Sequence, residues 1–179
     1  MRVRSIIVAA VAVLAACGNG ANPTASEAIP DLNADQVMFG VEYFVTADGI
    51  RQAKLVADTS LVYNHESRYE IRGVHLTLYH GSGEEAAVLT SRTGELDTRD
   101  DRMVARGNVV LVSMEGNRRI ETEELFYDPR QNLIWSEVAT TLYEDGSVAH
   151  GDGFTSDAQL KNVKVTRPHG EFEGLEFTF

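Results

Sequence analysis

Apolar and polar residues alternate with a period of two through most of the chain after residue 45. In the segment 73–79, Val74, Leu76 and Leu78 share one face, and the residues between them share the other. Such alternation is typical of a half-buried antiparallel strand. The segment 108–114 is apolar on both faces, which predicts a central strand. Because helical periodicity is absent after residue 45, the pattern predicts an all-β fold, either a sandwich or an open jellyroll.

The alternating segments form a repeat. Ala53 and Leu55 recur as Ala87 and Leu89, and a similar shift brings Leu89 to Ile120. Each unit consists of a strand, a polar turn and a second strand, so we expect some ten strands in all. The predicted turns are at residues 64–67, 98–101, 128–132 and 157–159, where Asp, Asn, Ser and Pro favour tight reversals. Units too small to enclose a core must stack on one another.

The amino terminus predicts export and a lipid anchor. Arg2 and Arg4 precede a short apolar run, and Ala15 and Ala16 stand directly before Cys17, the single cysteine of the chain. The run is too short to cross a bilayer comfortably as a helix, and small residues suit signal-peptidase cleavage. The sequence resembles a lipobox, which implies cleavage before Cys17 and acylation of its thiol. The alternative is an uncleaved anchor with a chance cysteine.

These features predict three parts. Residues 1–16 form the signal peptide, residues 17–40 a flexible membrane tether, and residues 41–179 a periplasmic β-jellyroll domain. The tether residues are small and polar, with Gly, Pro and Ser and no hydrophobic period. The segment 37–44 fits either a short helix or a first strand.

Charge and motifs exclude several functions. The 179 residues have a formal net charge of −11, and no basic patch offsets it, so nucleic acid is not an expected partner. An anionic lipid would be held by apolar contacts more than by charge. The five histidines lack metal-ligand spacing, and the acidic clusters at 97–101 and 121–124 accompany no nucleophile or phosphate loop. Tyr127 and Trp135 are expected to fill the core. We therefore predict a protein that is not an enzyme and needs no cofactor.

Two stretches resemble a known family. Residues 96–109, including Arg106-Gly107-Asn108-Val109, and residues 118–123, ending in Glu121-Thr122-Glu123, are similar to the LptC family. Its members are membrane-anchored periplasmic components of the lipopolysaccharide export machine. The resemblance spans roughly residues 46–165. It implies an OstA-like fold: an open, twisted, boat-shaped β-jellyroll of two antiparallel sheets. The interior would hold lipid A acyl chains, and the ends would pair edge to edge with neighbouring jellyrolls.

The resemblance and the alternation together name candidate sites. The candidate groove residues are Val74, Leu76, Leu78, Leu89, Val109, Leu111, Ile120 and Leu142; for each, plain core packing is the alternative. Gly49 fits a family glycine at the amino-terminal edge, while Glu144 replaces a second family glycine. At the carboxyl terminus Leu175, Phe177 and Phe179 share one face of a predicted edge strand, which could dock a second jellyroll. It could equally fold back onto its own core.

The predicted function is binding of lipopolysaccharide and its transfer from an inner-membrane ABC transporter to a periplasmic bridge. The expected partners are lipopolysaccharide, the permease subunits of that transporter, a bridge protein of the LptA type, and the membrane through the lipid anchor on Cys17. The best-known family members have an uncleaved transmembrane helix instead. Gly18 follows Cys17, so the acidic residue that keeps lipoproteins on the inner membrane in some bacteria is absent, and the outer membrane stays open as an alternative. Two other functions remain: an adaptor lipoprotein that docks partners without lipid, and a lipid-anchored bridge-type jellyroll.

Overall fold

The computed structural model describes residues 34–169, which consist almost wholly of antiparallel strands. The signal peptide, Cys17, most of the tether and the segment from Gly170 onward lie outside the described residues. The strands are β1 Gln36–Ala47, β2 Ile50–Tyr63, β3 Arg68–Tyr79, β4 Glu85–Asp97, β5 Arg102–Ser113, β6 Arg118–Asp128, β7 Leu133–Ser136, β8 Thr140–Glu144, β9 Ser147–Gly151, β10 Gly153–Asp157 and β11 Lys164–Thr166. Within residues 34–169, no helix has the length and hydropathy needed to cross a membrane.

The first six strands form a meander in which each strand pairs with the next. Strand β6 is the branch point: its first part pairs with β8, and its last part pairs with β7. Strand β9 extends the β8 branch, while β10 and then β11 extend the β7 branch. Reversals fall at the four predicted turns, and at three of them an Asp carboxylate accepts a hydrogen bond from a nearby backbone N–H group.

A bend crosses the long strands at mid-length. Along β3 the buried positions step by three from Ile71 to Val74, and along β6 they step by three from Thr122 to Leu125. The β4–β5 and β5–β6 registers shift at the same level. An extra residue in a strand bends it and increases its twist. The bend divides the sheet into two parts, which we call the Ile120 half and the Tyr127 half after their inward residues on β6.

Side chains from both halves form one buried cluster. Leu76 and Leu111 come from the Ile120 half, and Leu96 and Ile134 come from the Tyr127 half, each at most 1 % exposed. The halves therefore pack against each other. The predicted open antiparallel jellyroll is confirmed, and its two sheets are the two halves of one continuous hydrogen-bonded sheet.

The segment 37–44, for which a helix or a strand fitted the pattern, belongs to β1. This strand begins at Gln36, so it overlaps the last five residues assigned to the tether. The overlap has a physical reason. Strand β1 lies at the edge of the sheet and buries only Val45 fully, so its first five residues lack the regular alternation of buried and exposed side chains that would mark a strand.

Candidate functional site

All eight candidate groove residues are buried, none of them more than 4 % exposed. They face the interior shared by the two halves and belong to a single apolar cluster. Their burial follows from the alternation in the sequence, since a strand presents every second side chain to the same face. Burial alone fits both a lipid-binding groove and ordinary core packing.

Most of these residues stand in one row across the sheet. Residues directly opposite each other on neighbouring strands continue from β2 to β9 without a break. We call this set the aliphatic row, and its members are Leu55, Leu76, Leu89, Leu111, Ile120, Leu142 and Ala149. At strand spacings of ~4.8 Å the row is about 29 Å long. It is a continuous apolar strip on the inward face of the Ile120 half.

Among the described residues, side chains are closely packed where the two halves meet. A void of about 10 Å³ lies between the halves, with Leu76 and Leu89 on one side and Met103, Leu125 and Tyr127 on the other. A space of this size holds at most about one water molecule. An acyl chain could therefore pass between these residues only if the two halves moved apart.

One rim of the interior is closed by Tyr43 and Asp101. Tyr43 points inward from β1, and its hydroxyl donates a hydrogen bond to Oδ1 of Asp101 at 2.8 Å. Asp101 belongs to the turn between β4 and β5 of the Tyr127 half. Burial and the neighbouring Asp101 carboxylate raise the pKa of Tyr43 to about 12. Burial and the charges of Asp101 and Asp128 also raise the pKa of Tyr127 above its usual value.

The opposite rim is closed by Leu160, in the loop between β10 and β11. Leu160 is fully buried, and its backbone carbonyl accepts a hydrogen bond from the Arg118 guanidinium. Arg118 Nε also donates to Glu144 at 2.6 Å. The Asp157 carboxylate accepts a hydrogen bond from the backbone N–H of Lys161 at 2.9 Å. Glu144 thus holds the arginine that bonds to this loop.

Neither rim was identified from the sequence. Tyr43 lies in the segment whose secondary structure was left open, although Val41, Tyr43 and Val45 alternate in the way an inward face requires. Leu160 lies among polar residues that suggested a turn. A single leucine between Gln159 and Lys161 was the signal that could have indicated a buried loop.

Of the four candidate docking residues, Gly49 lies in the described part of the chain, and the other three lie outside it. Gly49 lies with Asp48 in a two-residue turn, both at positive φ (77° and 51°), which suits a tight hairpin. This turn follows β1 and precedes β2, so β1 is a further strand ahead of the glycine. Leu175, Phe177 and Phe179 lie outside the described residues, and their docking role remains a prediction.

Strand β1 offers the pairing groups that docking would need. Within the described residues it pairs with β2 and with no other strand. Its outward aromatic residues Phe39 and Phe44 are 56 % and 44 % exposed. The Arg51 guanidinium lies 4.7 Å from the centre of the Phe44 ring. An edge of this kind can accept another strand.

Acidic side chains on the outer face are mostly paired with arginine. Arg106 contacts Glu95 at 2.5 Å and Glu124 at 2.7 Å. Hydrogen bonds from Arg99 lower the pKa of Asp97 to about 2. Within residues 34–169 no group of three or more His, Cys, Asp or Glu side chains is placed to hold a metal ion.

The two large aromatic residues expected in the core lie on opposite faces of the sheet. Tyr127 is 3 % exposed and belongs to the core cluster. Trp135 is not in the core: it pairs with Phe126 across strands on the outer face, and their rings stack with centroids 5.1 Å apart. The extra residue at the bend of β6 places Phe126 on the outer face, and Trp135 lies on the same face because it pairs with Phe126.

Comparisons with known proteins agree with this architecture. A family model described as "Lipopolysaccharide-assembly, LptC-related" matches residues 5–167. Among solved structures, the chain is similar to LptH of Pseudomonas aeruginosa, described as "the LptA homologous periplasmic component of the conserved lipopolysaccharide transport device". The TM-score is 0.52 at 15 % identity, covering 64 % of this chain and 82 % of LptH, so the likeness is one of fold. A comparison with curated proteins gives no match.

Proposed function

This chain belongs to the LptC-related family of lipopolysaccharide-assembly proteins, and we propose that its aliphatic row binds the acyl chains of lipopolysaccharide during export. Members of this family are components of lipopolysaccharide transport, and the family is not an enzyme family. The chain therefore has a role in lipopolysaccharide transport. The place where the lipid is held and the direction in which it moves are the two further points that we propose.

The observation that supports lipid binding is the aliphatic row itself. It runs through seven consecutive strand positions with no charged or hydroxyl-bearing side chain among them. Burying an acyl methylene group contributes about 0.8 kcal/mol, and this contribution needs no particular orientation. A row of branched aliphatic residues therefore suits several acyl chains of different length. The net negative charge of the protein fits a ligand held mainly through its apolar part.

The lipid-bound state must differ from the state described here. The void between the halves is about 10 Å³, which is too small for an acyl chain. Lipid binding therefore requires the Ile120 half and the Tyr127 half to separate. The acyl chains would then replace the contacts that the halves make with each other.

For the route, we propose transfer from an inner-membrane ABC transporter to a periplasmic bridge of the LptA type. Homologues of LptC and LptA are periplasmic. The acyl anchor on Cys17 would hold the domain at the membrane, and the residues between Cys17 and Gln36 would set its reach. The free edge of β1 and the carboxyl-terminal segment with Leu175, Phe177 and Phe179 are the two candidate edges for adding neighbouring jellyrolls.

The filled interior supports a second function. A protein that only docks partners needs no open groove, and a closely packed core gives it a rigid platform. On this alternative the aliphatic row is structural, and the sheet edges alone carry the function.

Photo-crosslinking in the native envelope separates the two functions. A benzophenone amino acid replaces Leu111, which is fully buried on the inward face, or Val110, which neighbours it on the outward face of β5. Lipid binding in the interior predicts a lipopolysaccharide adduct from position 111 and little from position 110. Circular dichroism of both variants checks that the β-fold is retained.

Equal adduct yields at the two positions, or none at either in folded protein, would favour the adaptor function. Purifying the protein with the ABC transporter and with the bridge protein tests the route independently. A chain that crosslinks lipid but does not purify with the transporter would support the lipid-anchored bridge-type function.

A further inference from the structure

The hydrogen bond between Tyr43 and Asp101 joins parts of the sheet that are distant in strand order. Tyr43 is on β1, and Asp101 is in the turn that connects β4 to β5. Along a flat sheet these elements would be separated by three or four strand spacings, about 14–19 Å. The contact at 2.8 Å therefore exists only because the sheet curls until its first strand meets the far half. It spans the opening of the interior.

The strand that forms this rim is held by a neighbouring described strand on one side only. Strand β1 pairs only with β2 among the described strands, and Val45 is its one fully buried residue. Val41 and Tyr43 pack against the core while remaining partly exposed. Local opening is easiest where few apolar contacts and few paired backbone groups must be broken.

The opposite rim is held more firmly. Leu160 is completely buried, its carbonyl is bonded to Arg118, and Arg118 is paired with Glu144. The Asp157 carboxylate also bonds to the backbone of the same loop. Opening at Leu160 would break the hydrogen bond from Arg118 and expose a completely buried leucine on a loop tied by Asp157. Opening at β1 would break the Tyr43–Asp101 hydrogen bond and expose Val45 with the partly buried Val41 and Tyr43, on a strand that pairs with a single described neighbour. The β1 rim is therefore the one that we expect to move more easily.

We propose that Tyr43 and Asp101 form a latch that keeps the apolar interior closed, and that an acyl chain enters where this latch opens. The inference rests on the proposed function for the identity of what enters. The latch itself is a property of the protein alone: its hydrogen bond biases an equilibrium between a closed and an open interior.

The size of the expected effect follows from that equilibrium. Removing a hydrogen bond to a charged group shifts an equilibrium by about 10-fold. When the open state is a minor one, the reaction rate of any probe that reacts only with that state rises by the same factor. Tyr43→Phe removes the donor and keeps the ring. Asp101→Gly removes the acceptor and suits the positive φ of residue 101, and Asp101→Asn keeps an acceptor oxygen in a residue type that tolerates this conformation.

The test measures access to the interior directly. In full-length protein embedded in lipid nanodiscs, Ala105→Cys places a thiol beside the interior void, and peptide-resolved mass spectrometry follows its alkylation by iodoacetamide. We expect Tyr43→Phe and Asp101→Gly each to raise the alkylation rate about 10-fold. The double variant should gain no more than either single one, and Asp101→Asn should stay close to the parent.

The matched control is Tyr143→Phe, which removes a tyrosine hydroxyl bonded to Glu121 on the outer face. It should leave the alkylation rate unchanged. Rates for Tyr43→Phe within twofold of the parent, or equal to those of the control, would overturn the latch.

A second measurement separates the latch from the proposed function. The yield of lipopolysaccharide crosslinked at position 111 should rise in the latch variants together with alkylation. If alkylation is faster but the lipopolysaccharide adduct is detectable and its yield is unchanged, the lipid does not enter at this rim, and that part of the inference is overturned. Faster alkylation with no adduct in any chain, the parent included, would confirm the latch and refute lipid binding in the interior.

Discussion

Gly73 on β3 leaves the space that the side chain of Asp58 on β2 occupies. A Cβ atom at residue 73 would lie 2.0 Å from Oδ2 of Asp58, and Gly73 itself has a φ of 66°. The same relationship recurs between Gly107 on β5 and Arg92 on β4, where an added Cβ would lie 2.6 Å from Arg92 Nε. Glycine therefore does two things at the bend: it adopts the left-handed conformation, and it makes room for a neighbouring side chain.

The first prediction concerns this bend. Gly73→Ala should lower the free energy of unfolding by about 1–3 kcal/mol, because the new Cβ strains the backbone and displaces Asp58. Urea unfolding followed by Trp135 fluorescence measures the effect. Gly81→Ala is the matched control, since Gly81 has open space around it and should change stability by less than about 0.5 kcal/mol. Equal stabilities of the two variants would contradict the role of the bend.

The second prediction concerns the aliphatic row. Leu111→Ala should cost about 2–5 kcal/mol of stability, because Leu111 is 0 % exposed in an interior with almost no free space. Val112→Ala, on the opposite and partly exposed face of β5, should cost clearly less. Chemical denaturation of both variants gives the comparison. If Leu111→Ala were tolerated as well as Val112→Ala, the interior would be open in solution rather than filled.

The third prediction is a pH dependence. The pKa of Tyr43 is raised from 10.0 to about 12, so the folded state favours the protonated hydroxyl. The resulting stabilisation is fully present below pH 10 and is lost as the pH rises from 10 to 12. The difference in unfolding free energy between the parent and Tyr43→Phe should therefore shrink over that interval. Urea titrations at a series of pH values check this, and a constant difference would argue against the hydrogen bond to Asp101.

The fourth prediction concerns the anchor. Cys17→Ser removes the thiol that the lipobox requires, so the chain should remain an uncleaved precursor or become soluble in the periplasm. Mass spectrometry of the parent protein should find the added mass of acyl chains on a chain that begins at Cys17. An unmodified thiol on the parent would instead identify the amino terminus as an uncleaved signal anchor.

The fifth prediction concerns the carboxyl terminus. Strand β11 pairs with β10, and Val165 packs against the core, so a deletion that spares the fold must begin after His169. Removing residues 170–179 should abolish capture of a bridge protein of the LptA type, while the remaining domain keeps its β-sheet circular dichroism. Leu175→Ala with Phe177→Ala and Phe179→Ala tests the apolar face without shortening the backbone. Wild-type capture by the truncated protein would move the docking surface to the edge of β1.

The sequence by itself determined the fold class and the identity of the inward side chains. Period-two alternation is a local property, since each residue's face depends only on its position along its own strand. Val74, Leu76 and Leu78 were assigned to one face for this reason, and all three are buried. The turns were predictable for a similar reason, because Asp, Asn, Ser and Pro act on the backbone within a few residues.

Only the tertiary structure decided how the two halves meet. The contact of Tyr43 with Asp101, the burial of Leu160 and the filled interior all depend on how far the sheet curls, which no single strand's pattern contains. The place of Trp135 on the outer face depends on its pairing with Phe126, which the extra residue at the bend of β6 puts on that face. Local chemistry thus selected the inward residues, while long-range packing determined whether the space between them is open or closed.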